Sequence, residues 1–159
     1  MSQNSEMLQM HWLMDMVQSV DVGIVVLDRE CKIHVWNDFM ESHSGLLANT
    51  VKNQTLFAVN NDIDKEWFIQ KTKPVFDLKV RTFITWEQRP YLFKFPNYRP
   101  ITGTEDFMYQ NVVISALTSA TGAVDYISVM IYDTTDKAIA KKQLEALQVH
   151  MTENALPVR

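Results

Sequence analysis

The sequence predicts an α+β domain with a five-stranded antiparallel sheet, short helices on one face and a helix at each end. Two strand patterns joined by a short polar turn come first, short helix patterns follow, and further strand patterns precede a last helix. The chain has 159 residues, of which 47% are hydrophobic, so it can bury one sizeable core. We divide it into a helix at 1–20, a domain at 21–135, and a helix with a tail at 136–159.

The first helix and the first strands have the clearest patterns. An amphipathic helix over residues 5–20 is predicted by the spacing of its apolar positions, Met10, Leu13, Val17 and Val20. Residues 24–27 and 32–36 are rich in β-branched side chains, and Asp28, Arg29 and Glu30 lie between them. This pattern predicts a hairpin over residues 23–36.

Short helices are predicted next. Asn37 or Asp38 can cap the first of them, Glu41 follows Asp38 at capping-box spacing, and Ser44-Gly45 ends it. Residues 62–79 predict a longer helix, which Pro74 is expected to bend or restart.

Aromatic and β-branched residues dominate the second half of the domain. We predict strands at 91–95, 107–118 and 126–132, and leave residues 81–88 undecided. A turn at 119–122 joins the last two strands. N-cap residues at 133–136 begin the final helix, whose apolar positions are Ala140, Leu144, Leu147 and Met151.

Composition excludes several function classes. Fifteen Lys and Arg stand against nineteen Asp and Glu, for a formal charge of -4, and no basic run indicates nucleic-acid binding. The longest aliphatic run, residues 24–27, is far too short to cross a membrane, so no membrane partner is expected. A single cysteine, Cys31, and the absence of a signal peptide pattern predict a cytoplasmic protein.

Several segments together resemble the PAS sensory domain family. They are Val22–Asp28, Ile33–Asn37, Ser44-Gly45, Leu56-Phe57 and the acidic-x-Thr triplet Asp133–Thr135. The resemblance covers about residues 20–136 and implies a PAS-like fold. It also implies that Asp133 and Thr135 couple the last strand to the exit helix.

A second resemblance concerns the region before the fourth strand. Residues 86–93, 98–104 and 107–111 are similar to the PAS segment that precedes GGDEF diguanylate cyclase domains. The chain has no segment resembling a GGDEF domain, so it cannot make cyclic di-GMP itself. The resemblance implies a non-enzymatic sensory module that regulates an output domain, in cis or in trans, with cyclic di-GMP synthesis as the expected output.

An aromatic set from helices and strands is a candidate ligand pocket. The predicted ligand-binding residues are Trp36, Phe39, Trp67, Phe76 and Trp86, with Arg99, Tyr109 and Asn111 as polar anchors. We expect Trp36, Phe76 and Trp86 to approach one interior volume. The same residues also fit a packed aromatic core, and both interpretations stay open.

Cofactor and catalytic patterns are weak. The histidines at 11, 34, 43 and 150 lack metal-ligand spacing, so no metal site is expected. Haem-binding PAS domains commonly take an axial His from the helical segment before the third strand, but residues 62–90 contain no His. Cys31 lies in a turn, outside the motif that covalent flavin chemistry needs, so haem and flavin are not expected and the ligand is unknown. A small α+β enzyme with a pocket acid or base, and a ligand-free interaction domain, are the alternatives.

Both flanking helices present apolar stripes that need a partner, since an isolated helix of this length is marginal in water. We predict a homodimer whose interface residues are Met10, Leu13, Val17, Leu144 and Leu147. The alternative is that both helices fold back on their own sheet. The exit-helix seam is short, so the first helix is expected to contribute more.

Overall fold

A five-stranded antiparallel sheet forms the centre of the computed structural model, which describes residues 2–97 and 106–155. The strands are β1 (Gly23–Asp28), β2 (Ile33–Trp36), β3 (Thr82–Ile84), β4 (Gln110–Thr118) and β5 (Val124–Asp133). The helices are α1 (Ser2–Ser19), α2 (Asp38–Ser44), α3 (Ala48–Val51), α4 (Leu56–Val59), α5 (Lys65–Leu78) and α6 (Thr135–Asn154). The strand order β2-β1-β5-β4-β3 and the flanking helices confirm the predicted fold class.

The predicted hairpin at 23–36 is confirmed, and Asp28 organises its turn. One carboxylate oxygen of Asp28 accepts hydrogen bonds from the backbone N–H groups of Glu30 and Lys32, at 2.9 and 3.0 Å. Its other oxygen lies 2.8 Å from Nε2 of His34. Burial opposes ionisation, but the hydrogen bonds from His34, Lys32 and Glu30 outweigh it and lower the pKa of Asp28. An ionised carboxylate therefore holds the turn closed.

The core lies between the inner face of the sheet and α5. Along β1, residues 110–115 of β4 and residues 127–131 of β5, buried inward residues alternate with half-buried outward ones, as period 2 requires. Phe68, Val75 and Phe76 of α5 face the inner side, which includes Ile114 and Ile127. Helix α5 thus covers the inner face of the sheet, whereas the apolar outer face is less covered.

The predicted strand at 91–95 is wrong. Leu92 and Phe93 are consecutive and both buried, so this bent segment packs over the inner face instead of alternating between two faces. The third strand lies in the undecided range, as β3. Strand β4 begins at Gln110 rather than at 107, where Phe107 makes only an isolated bridge with Pro96.

Two local predictions in the helical region also need correction. Asn37 is the N-cap of α2, so Glu41 makes no capping box and instead accepts a hydrogen bond from the Ala48 N–H at 2.8 Å. Helix α5 does not restart at Pro74, because it continues from its Asp64 cap to Leu78. The last turn of α5 ends at Lys79, which adopts a left-handed conformation with φ of 56°.

Asn37 is a fully buried amide that joins three elements. Its side-chain oxygen accepts from the N–H groups of Ile24 in β1 and Met40 in α2, at 3.0 and 3.4 Å. Its side-chain nitrogen donates to the carbonyls of Val17 and Val22, at 3.0 and 2.7 Å. This side chain therefore attaches the end of α1 to the sheet.

Replacing Asn37 should destabilise the protein through these bonds. We expect Asn37→Ala to lower the free energy of unfolding by about 2 to 4 kcal/mol, since it leaves buried N–H and C=O groups unpaired. Asn37→Asp should cost at least as much at neutral pH, because a carboxylate oxygen would face two carbonyls. Urea denaturation measures both, with exposed Asn49→Asp as the control expected within about 0.5 kcal/mol of wild type. A wild-type stability for Asn37→Asp would contradict this role.

Candidate functional site

Three consecutive residues at the start of β4 connect the segment before the strand to the exit helix. The Tyr109 backbone is hydrogen-bonded to the start of α6, and the Gln110 side chain is hydrogen-bonded to the segment 91–95. The side-chain oxygen of Asn111 accepts a hydrogen bond from the Trp86 N–H, in the turn after β3, at 2.9 Å. We call residues 109–111 the junction. It lies where β4 begins, beside the start of α6.

Gln110 has no exposed surface, and its amide bonds the backbone of a neighbouring segment. The side-chain oxygen accepts from the N–H groups of Leu92 and Phe93, at 3.0 and 3.2 Å. The side-chain nitrogen donates to the Phe93 carbonyl at 2.7 Å. Because these backbone groups make no strand ladder, the amide side chain takes the place of one.

Asp133 and Thr135 join β5, β4 and α6. One oxygen of the Asp133 carboxylate accepts from the Thr135 N–H at 3.0 Å and from its hydroxyl at 2.5 Å. The Thr135 hydroxyl oxygen also accepts from the Tyr109 N–H at 3.1 Å, and the Thr134 N–H donates to the Tyr109 carbonyl at 2.8 Å. Although Thr134 is the N-cap, its side chain makes no capping bond, so Asp133 caps α6 instead. These bonds connect the start of β4 to the first turn of α6.

Two neighbouring cavities lie beside His43, on either side of the chain at Pro96. One, of about 280 Å³, is bordered by Trp36, Leu46, Asn60, Phe93 and Phe95 among others. The second, of about 370 Å³, is bordered by Asp21, Phe39, Asn97, Met108, Tyr132 and Asp133. The His43 ring packs on Phe39 and Phe95, with ring centroids 4.3 and 5.8 Å apart. The second cavity reaches Asp133, the cap of α6.

Sequence reasoning considered His43 only as a metal ligand and missed its place between the two cavities. The residue follows Phe39 by four positions, so both side chains lie on one face of α2. That spacing was the available signal. Across residues 2–97 and 106–155, no three His, Cys, Asp or Glu side chains come together as a metal site.

The predicted aromatic residues do not all meet in one place. Trp36 borders the smaller cavity, but neither Phe76 nor Trp86 does. Instead, cations of the chain lie over several of these rings, namely Arg29 over Phe76, Arg89 over Trp67, Lys141 over Trp86 and Lys142 over Tyr109. Trp36, Phe39 and Phe76 also belong to the packed core. The predicted anchor Arg99 lies outside the described residues.

The predicted interface residues are all exposed. No residue of α1 is buried, and the exposed fractions of Met10, Leu13 and Val17 are 63%, 56% and 38%. These three side chains and Met14 border an apolar groove of about 480 Å³. Its other wall is the outer face of the sheet, formed by Ile24, Val26, Val35, Leu117, Ser128 and Met130. Leu144 and Leu147 are likewise exposed, at 56% and 59%.

No family model and no curated protein matches the sequence, whereas many solved structures match the fold. A sensory box sensor histidine kinase from Vibrio cholerae is similar with a TM-score of 0.58 at 18% identity, over 85% of this chain and 99% of that one. The PAS domain of BvgS from Bordetella pertussis gives 0.58 at 15%, over 89% and 98%.

A third similar structure is histidine kinase ThkA in complex with response regulator protein TrrA. Its TM-score is 0.60 at 22% identity, over 88% of this chain and 38% of that one. Together these likenesses establish that the chain has the PAS fold. In the described part of the chain, no helix combines the length and hydropathy needed to cross a membrane.

The junction predicts a measurable effect of Gln110. We expect Gln110→Leu to lower the free energy of unfolding by about 2 to 4 kcal/mol, because the buried Leu92 and Phe93 N–H groups lose their acceptor. The Phe93 carbonyl loses the bond from Gln110 but keeps the one from the Phe95 N–H. Hydrogen exchange at the Leu92 and Phe93 amides should accelerate more than exchange in β5. Gln143→Leu, at an exposed position of α6, is the control and should change neither quantity. Unchanged exchange at residues 92 and 93 in Gln110→Leu would contradict the bonding role.

Proposed function

We propose that the chain is a cytoplasmic, non-enzymatic sensory and dimerisation module that regulates an output domain through α6. The observation that supports this most is the junction, which bonds both the segment beside the cavities and the first turn of α6. A ligand that displaces Phe93 or Phe95 would disturb the bonds of Gln110. Because Tyr109 directly precedes Gln110 and is hydrogen-bonded to Thr135, the start of α6 would shift as well.

The proposed ligand is a small, mainly apolar molecule with one or two polar groups. Trp36, Phe93 and Phe95 offer apolar walls beside the smaller cavity, while His43 and Asn60 offer polar atoms. Both cavities are small, which limits the ligand to about the size of a single ring system.

Native mass spectrometry of gently purified protein tests this site. We expect a co-purified mass, one per chain, that is lost in Leu46→Trp, because a larger side chain would fill the smaller cavity. The matched control is Leu47→Trp, which enlarges the exposed neighbouring residue outside the cavity and should retain the mass. Wild-type protein without a bound mass, or a mass that Leu46→Trp retains, would overturn the ligand proposal.

A ligand-free interaction domain is the second candidate, and the packed core favours it. Trp36, Phe39 and Phe76 are at most 8% exposed and belong to one continuous cluster of buried residues. In this case the module would act through its dimer and α6 alone. The mass experiment separates the two candidates.

The output we propose first is cyclic di-GMP synthesis by a GGDEF domain, in cis or in trans. Its support is the sequence similarity of residues 86–93, 98–104 and 107–111 to segments that precede such domains. Two of the similar structures are those of histidine kinases, so a kinase output is the competing proposal.

The proposed homodimer forms through the groove between α1 and the outer face of the sheet. Apolar side chains on both walls are exposed, and a two-fold axis would let each α1 cover the groove of the other chain. Leu13→Glu would place a charge in this interface.

Sedimentation velocity at micromolar concentrations should show a dimer for the wild type and a monomer for Leu13→Glu. Leu8→Glu makes the same change on another face of α1, outside the groove, and should remain dimeric. A monomeric wild type, or dissociation by both variants alike, would refute this interface.

A further inference from the structure

Among residues 2–97 and 106–155, the contacts of α6 with the domain lie in its first turns. Thr135, Ala138 and Ile139 are buried, whereas every residue from Ala140 to Ala155 is exposed. The exposed part extends over about four turns. The direction in which it leaves the domain is therefore determined by the few contacts near its start.

Two consecutive lysines of α6 contact side chains of the domain. Nζ of Lys141 lies 2.5 Å from a carboxylate oxygen of Glu87 and 5.9 Å from the centroid of the Trp86 ring. Nζ of Lys142 donates to the Tyr109 hydroxyl and lies 4.7 Å from the centroid of that ring. We call these five residues the lysine clasp.

The geometry of the clasp restricts rotation as well as tilt. Neighbouring helix residues project about 100° apart, so Lys141 and Lys142 reach the domain from two sides of α6. The Trp86 and Tyr109 rings pack edge to face, with centroids 5.5 Å apart. A rotation of α6 that relaxes one lysine contact would strain the other.

We propose that the lysine clasp fixes the direction in which α6 leaves the domain. A shift of the turn at Trp86 and Glu87 would then change that direction. The regulatory meaning of this device rests on the proposed function, but the direction itself does not. Asn111 of the junction bonds the Trp86 N–H, so the turn and Tyr109 move together. The clasp thus adds a second connection between the junction and α6, beyond Asp133 and Thr135.

The clasp can open without unfolding the domain. Lys141 and Glu87 are about half exposed, and exposed ion pairs are weak and screened by salt. The hydrogen bond with Glu87 raises the pKa of Lys141, so the lysine is charged at neutral pH. The clasp is therefore expected to open when the salt concentration rises, and not when the pH changes near neutrality.

Pulsed electron paramagnetic resonance on the full chain tests the proposal. Spin labels at Asp125→Cys in β5 and Gln148→Cys in α6 report the direction of the helix, with unlabelled protein in excess to suppress distances between chains. Cys31 can stay in place, because it is buried and burial raises its thiol pKa to about 11. Protein without the two new cysteines should take up no label.

The wild type should give one narrow distance distribution. The double variant Lys141→Met with Lys142→Met should at least double the width of this distribution. High salt should broaden the distribution of the wild type similarly. Arginine at both positions should keep the distribution narrow. Lys137→Met, one turn earlier and outside the clasp, is the control and should leave it narrow. Equal widths for wild type and the double methionine variant, or equal broadening by Lys137→Met, would overturn the proposal. If the wild type binds no ligand or forms no dimer, the proposed function fails but these distances within one chain stay the same. Failure of the clasp is therefore distinguishable from failure of the proposed function.

Discussion

A buried amide must have partners for both its oxygen and its nitrogen, and this requirement at Gln110 determines much of the structure around it. Its partners are backbone groups of residues 92 and 93, a segment that pairs with no strand. That segment therefore has to lie across the start of β4. Phe93 of this segment is buried against Trp36, and Tyr109, the residue before Gln110, is bonded to α6.

Asn37 meets the same requirement at the other end of the molecule. Its four hydrogen bonds connect the end of α1 to β1 and α2, so each flanking helix depends on a buried amide or its neighbour. Replacing a backbone ladder by side-chain amides makes these connections local and specific. The sheet itself needs no such device, because its ladders run along β1, β5 and β4 with a single register shift, at Leu117/Thr118.

Elements with a strong local period were predictable from the sequence. The hairpin at 23–36 and the strand over 126–132 owe their conformation to alternation that is visible within a few residues. Residues 91–95 have the composition of a strand, but their conformation depends on the distant side chain of Gln110. Composition could not distinguish a strand from a bent segment that is held by a side chain.

The candidate site was predicted less completely, for related reasons. Trp36 and Phe39 border the cavities, whereas Trp67, Trp86 and Tyr109 lie beneath cations that come from other parts of the chain. Which ring meets a ligand and which meets an arginine or lysine is decided by tertiary contacts. The acidic-x-Thr triplet differs, because Asp133 and Thr135 act on each other over two residues and their arrangement is local.

The two edges of the sheet have consequences for aggregation. An open edge strand can pair with another chain and so begin an ordered aggregate. At one edge β3 has only three residues, with Lys79 and Arg81 just before it and the guanidinium of Arg81 over Phe83. At the other edge Asn53 and Gln54 bond the backbone of Ile33 in β2. Neither edge offers a long free ladder, so the sheet resists the strand-by-strand addition that leads to fibrils.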